Sequence, residues 1–92
     1  MITNDEPSEA AFILLTIEIG SKEKIIDALK NKSEVKAVHQ LYGVYDIIAR
    51  MESDTMLNLK DAISRIRRLR EVRSLQTMIV KHARAAKGSE KI

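Results

Sequence analysis

Gln40-Leu-Tyr-Gly-Val-Tyr-Asp-Ile-Ile-Ala-Arg50 sets one glycine, two tyrosines and an aspartate between two apolar runs. Gly43 can supply the positive φ of a chain reversal at no steric cost. Before it, Val35 to Leu41 reads as a strand; after it, Asp46 to Glu52 reads as another, with Ile47, Ala49 and Met51 on one side. The stretch therefore predicts a β-hairpin at the middle of the chain. A reversal needs the glycine, but not Tyr42, Tyr45 and Asp46 crowded around it.

Working outward, Ala11 to Ile19 ("AFILLTIEI") is aliphatic and β-branched, with Ile13, Leu15, Ile17 and Ile19 alternating against Phe12, Leu14, Thr16 and Glu18. Gly20 ends that strand and Ser21 is placed to cap a helix over Lys22 to Asn31, with Ile25, Ile26 and Leu29 at helical spacing. After the hairpin, Ser53 or Asp54 is placed to cap a second helix, from about Thr55 to Arg68, whose stripe is Met56, Leu59, Ile63 and Ile66. Val72 to Lys81 closes the series as a fourth strand. The order β-α-β-β-α-β predicts an α+β fold, the ferredoxin-like plait, with a four-stranded antiparallel sheet and both helices on one face. Residues 1–10 read as a flexible leader, 11–81 as the domain, and 82–92 as a basic C-terminal tail.

A chain of 92 residues makes one small domain whose own core is marginal. Aromatic residues are 3% of it, so that core must be aliphatic. There is no cysteine, hence no disulfide framework and no thiolate metal site, which suits a reducing cytoplasm. The start is acidic before its first apolar run, and that run stops at Glu18, which fits neither a signal peptide nor a membrane helix. Charge is uneven: six basic and ten acidic residues precede Lys60, and ten basic and three acidic follow from it, for a net +3. A solvated helix face accounts for this more simply than a nucleic-acid patch.

The second face of the sheet carries Phe12, Leu14 and Ile48, and on the last strand Met78 and Val80, opposite Leu75, Thr77 and Ile79. Large apolar residues on a face that no helix covers mark an interface, so the chain is expected to be an obligate oligomer built by sheet-to-sheet packing. His39 and His82 lack metal-ligand spacing, and no phosphate loop, nucleophile elbow or carboxylate pair accompanies them, so neither cofactor, metal nor catalysis is expected. A plait that reads RNA shows several aromatic rings on its central strands; here only Phe12 lies at the edge of such a run. For the loop itself two readings stay open. Backbone N–H groups of the turn could hold a carboxylate while Asp46 holds an ammonium, or Asp46 merely caps the turn.

The segment "VKAVHQLYGVYDIIARM" resembles the hairpin of the effector-binding (RAM) module of the Lrp/AsnC family of transcriptional regulators, which reads His-x-x-x-Gly-x-Tyr-Asp before an aliphatic strand. His39, Gly43, Tyr45 and Asp46 fall on that pattern, and "VRSLQTMIV" is similar to the module's last strand, with Thr77 before aliphatics. The resemblance implies plaits of the dimeric α-β barrel type that pair through their sheets. It also implies dimers assembling into rings of four (octamers), and an amino-acid effector held between dimers. It implies that Gly43 and Val44 offer backbone groups to the effector, that Tyr45 walls it, that Asp46 binds its ammonium, and that Thr77 approaches from a neighbouring subunit. Tyr42 replaces the family's usual small hydroxyl residue, which reshapes the pocket. The family's DNA-binding helix-turn-helix has no counterpart among these residues. The expectation is therefore a stand-alone, cytoplasmic, non-enzymatic sensor that reads no DNA directly and modulates full-length Lrp/AsnC regulators by co-assembly. The alternatives are a structural partner that binds no small molecule, or a small dimeric plait enzyme.

Overall fold

Six elements succeed one another in the computed structural model, which describes residues 9–80: β1 (Glu9–Ile17), α1 (Lys22–Lys30), β2 (Val35–Gln40), β3 (Ile47–Ser53), α2 (Met56–Arg67) and β4 (Val72–Val80). The strands form one sheet in the order β2-β3-β1-β4, and every neighbouring pair is antiparallel. This is the expected plait. β1 begins at Glu9, two residues ahead of the expected boundary, because Glu9 and Ala10 pair with Ser53 and Glu52 of β3. The rest of the expected leader and the tail from His82 lie outside the described residues.

Alternation along the central strands builds the core. Ala11, Ile13 and Leu15 of β1 and Ile47, Ala49 and Met51 of β3 are fully buried on one face. Ile25 and Leu29 of α1 and Leu59, Ala62, Ile63 and Ile66 of α2 complete the same cluster. Met56 and Ile26, expected in the helix stripes, pack at its margin. Ala62 belongs to the α2 stripe as well, a contribution too small to stand out in a hydrophobic pattern.

Two caps differ from expectation. Thr55, not Ser53 or Asp54, caps α2: its Oγ1 accepts the Asn58 N–H at 3.1 Å. Ser53 is still paired with Glu9, so the helix cannot start before the strand has ended. Ser21 stands at the N-cap of α1, but its hydroxyl donates to the Glu18 carbonyl at 2.7 Å and makes no side-chain cap bond. Ile19, expected to face inward, is 99% exposed. The strand stops at Ile17, and the Ser21 N–H to Glu18 carbonyl bond closes a turn in which Gly20 takes φ +87°. That reversal throws Ile19 outward.

Opposite the helices, β-strand pairing lines up Met78, Phe12 and Arg50 in one row and Gln76, Leu14, Ile48 and His39 in the next. Phe12, Leu14 and Ile48 are half-buried, Met78 is 48% exposed, and Arg50 pairs with Glu52 on the same face. The face no helix covers thus has an apolar centre with polar residues beside it.

The core predicts a sharp contrast between two leucines. Leu15→Ala should lower unfolding free energy by about 2–5 kcal/mol, because the strand cannot collapse onto the gap. Leu57→Ala, at a position 76% exposed, should change it by less than about 0.5 kcal/mol. Urea melts at one protein concentration measure both; equal losses would mean that Leu57 is covered in solution.

Candidate functional site

Three connections meet at one end of the sheet: the turn after β1, the loop between β2 and β3, and the turn before β4. The hairpin closes where the Leu41 N–H donates to the Asp46 carbonyl at 2.8 Å. On its other side the Asp46 N–H donates to the Leu15 carbonyl at 2.8 Å, and the Asp46 carboxylate, through Oδ2, accepts the Ile17 N–H at 2.9 Å. Asp46 therefore extends the β1–β3 ladder by one rung beyond the last paired residues, using a side chain where backbone no longer reaches. A charge-assisted acceptor of this kind is stronger than a neutral one. Among the described residues Oδ1 makes no hydrogen bond.

Between these anchors Tyr42 and Val44 stand out at 88% and 82% exposed, and Tyr45 is half-buried. Gly43 takes φ +151°, a conformation open to glycine and strained for other residues, with open space where a Cβ would stand. Among the described residues the N–H groups of Gly43, Val44 and Tyr45 have no backbone acceptor. Lys22, the first residue of α1, places its Nζ 4.9 Å from the centre of the Tyr42 ring, within the range of a cation–π contact. The end of the sheet thus offers, side by side, spare backbone donors, a lysine ammonium, a carboxylate, and apolar surface from Ile19, Tyr42 and Val44.

The turn before β4 is tied to this end. Glu18 N–H donates to the Glu71 carbonyl at 2.9 Å, and Lys24 Nζ meets the Glu71 carboxylate at 2.7 Å. That hydrogen bond from Lys24 holds the Glu71 carboxyl below the usual range.

Tyr42, Gly43, Val44, Tyr45 and Asp46 are brought together by contiguity, but Thr77 is not among them. Thr77 pairs with Ile13 in mid-sheet, on the helix side. That is two strands and three residues away from Asp46, about 14 Å at ordinary strand spacings. It lines a separate groove between β4 and α2. Lys22 and Ile19 also stand at this end of the sheet, where pattern reading did not place them. Ile19 read as core by its alternation, and nothing in the local sequence links Lys22 to Tyr42, because the contact exists only once α1 is docked.

A family model described as the Lrp/AsnC ligand binding domain matches residues 10–88. The chain belongs to the Lrp/AsnC ligand-binding family. Among solved structures, FFRP-DM1 is 34% identical over 78% of this chain and 97% of its own, with a TM-score of 0.76. The hypothetical protein PHS023 from Pyrococcus horikoshii is 33% identical over 82% of this chain and 92% of its own, with a TM-score of 0.77. E. coli AsnC superposes with a TM-score of 0.77 over 95% of this chain and 63% of its own; at 18% identity that likeness shows the fold alone. No curated protein matches the chain. As a member of the Lrp/AsnC family the chain has the fold of a regulatory, effector-binding module. Among the described residues no helix is long and apolar enough to cross a membrane.

Two measurements test the local chemistry. Asp46→Ala removes the acceptor of the Ile17 N–H and should cost about 1.5–3 kcal/mol, whereas Asp46→Asn keeps an oxygen there and should cost less than about half as much. Chemical unfolding of both variants decides it; equal costs would mean the charge, not the hydrogen bond, matters. The second concerns Glu71. A carboxyl held low in the folded state contributes stability above the usual glutamate range and loses it as pH falls through the lowered value. Wild type and Glu71→Gln should therefore differ in Tm at neutral pH and converge on acidification, as a pH series of thermal melts would record.

Proposed function

We propose that the chain is a non-enzymatic, cytoplasmic amino-acid sensor whose ligand is held by the loop from Tyr42 to Asp46. The ligand carboxylate is held by the backbone N–H groups of Gly43 and Val44, and its ammonium by the Asp46 carboxylate. Tyr42 and Tyr45 wall its side chain, and Thr77 joins from a neighbouring subunit. The observation that carries this reading is the opposed pair of features at the end of the sheet: unpartnered backbone donors in the loop and, beside them, a carboxylate with one oxygen still uncommitted. A zwitterion is the ligand whose charges match that pair.

The site is open on one side, with Ile19, Tyr42 and Val44 exposed around it. A second copy is needed to close it. In the proposal, protomers pair through the helix-free sheet face and the pairs assemble into rings of four, with the effector between pairs. The effector then acts by linkage, favouring whichever assembly it binds better, whether of this chain alone or with full-length Lrp/AsnC regulators.

One observation favours the rival reading, a structural partner that takes no small molecule: Asp46 already has a structural task in holding the Ile17 N–H. A thermal-shift screen of the twenty amino acids, with light scattering on each hit, separates the two. At about 100 times its dissociation constant a ligand should add roughly 2.7 kcal/mol, a shift of several degrees for a domain of this size. Asp46→Asn, which keeps the ladder acceptor but not the charge, should lose that shift. If no amino acid moves the melt at millimolar concentration, the loop is a turn and the sensor reading fails.

A further inference from the structure

The face of the sheet that no helix covers carries one side chain whose charge changes near neutral pH. The chain has two histidines and no cysteine, so the imidazoles of His39 and His82 are the side chains that ordinarily titrate between about pH 5.5 and 7.5. His82 lies outside the described residues. His39 ends the row Gln76, Leu14, Ile48, His39 that crosses the uncovered face from β4 to β2. It is exposed there, directly opposite the half-buried Ile48 and at the margin of the apolar centre formed with Phe12 and Leu14.

The charges around it are few. Arg50 and Asp46 stand on β3 to either side of Ile48, diagonal to His39 and about 7–8 Å from it at ordinary strand geometry. Arg50 holds Glu52 on the same face, and the Asp46 carboxylate is turned toward β1, where it accepts the Ile17 N–H. Lys36, on β2 itself, donates to the Ser33 carbonyl. β2 is an outer strand, so no further strand faces His39, and α1 lies against β2 from the opposite side of the sheet. Among the described residues no carboxylate is paired with His39, and both nearby carboxylates are already engaged.

We infer that His39 makes the sheet-to-sheet pairing of two copies pH-dependent: they pair with its imidazole neutral, and proton uptake by His39 separates them. This rests on the pairing proposed above and adds its regulation. When a second copy covers the face, His39 loses water beside Ile48 and Leu14, and removal from water penalises the charged ring. Arg50 adds like-charge repulsion, with no spare carboxylate to offset it. A two-fold pairing contains every such residue twice, so the effect of one His39 is squared in the dissociation constant. The sign follows. Pairing is complete above the ordinary range of an imidazole and weakens as pH falls through it, because the separated copies bind more protons than the pair.

The test is sedimentation velocity of the full chain over a dilution series, at constant ionic strength. From about pH 7.5 to about pH 5.5, where carboxylates stay ionised, the dissociation constant of the pair should rise at least about tenfold. Where dilution does not separate the pair, the exchange rate of labelled subunits is read instead and should rise likewise. His39→Gln, at an exposed position, should remain paired and indifferent to pH, while His82→Gln should respond as the wild type does. Met78→Asp, at a position 48% exposed and with folding checked by an unchanged Tm, should separate the copies at both pH values. If Met78→Asp stays paired, the sheet-face reading fails and the role of His39 falls with it. If Met78→Asp separates the copies but the wild type ignores pH, the pairing stands and the role of His39 alone is overturned. A pH response that survives His39→Gln, or one that disappears with His82→Gln, overturns it as well.

Discussion

Two helices can cover only one face of a four-stranded sheet. Once Ile13, Leu15, Ile47 and Met51 are sealed under α1 and α2, strand alternation obliges Phe12, Leu14 and Ile48 to the face with no helix. Exchanging the faces would not help, since both sets are apolar. The domain is therefore a half-finished layer structure: one interface is internal, and the other has an apolar centre available for a partner. A small chain gains little from its own core, so burial of that second face is where further stabilisation lies. The polar residues beside it, Arg50, Glu52, Gln76 and His39, keep the exposed face from being uniformly apolar.

At the end of the sheet one carboxylate serves the fold and, in the proposed function, a ligand as well. Where the β1–β3 ladder runs out of backbone, the Asp46 carboxylate supplies the next acceptor. This fixes the carboxylate rigidly beside a loop whose backbone donors have no acceptor of their own. A group held in place by structure loses little freedom on meeting a ligand, which is the general advantage of preorganisation. The same geometry makes truncation at Asp46 an ambiguous experiment, and an isosteric change a clean one.

The domain also separates charge by position. The loop end combines a carboxylate with a lysine and spare N–H groups, while the α2–β4 groove offers cations and hydroxyls alone. Which side chains stand in each place follows from what the sheet and helices bring alongside each other.

Element order, the hairpin and most of the core were legible in the sequence because they depend on short-range periodicity. Strand alternation picked out Ile13, Leu15, Ile47, Ala49 and Met51, and helical spacing picked out Leu59, Ile63 and Ile66, all of them buried. Local pattern failed where a tertiary contact overrode it. Ile19 continued the alternation but lies beyond the turn that ends β1, and Ser53 looked like a helix cap but is held in the sheet by Glu9. The clustering of Tyr42, Gly43, Tyr45 and Asp46 was visible by contiguity alone. That Asp46 serves Ile17, that Lys22 lies over Tyr42, and that Thr77 belongs to a groove under Arg67 were decided only by the tertiary structure. Each of those contacts joins residues far apart along the chain, and periodicity carries no information about which distant elements will be laid side by side.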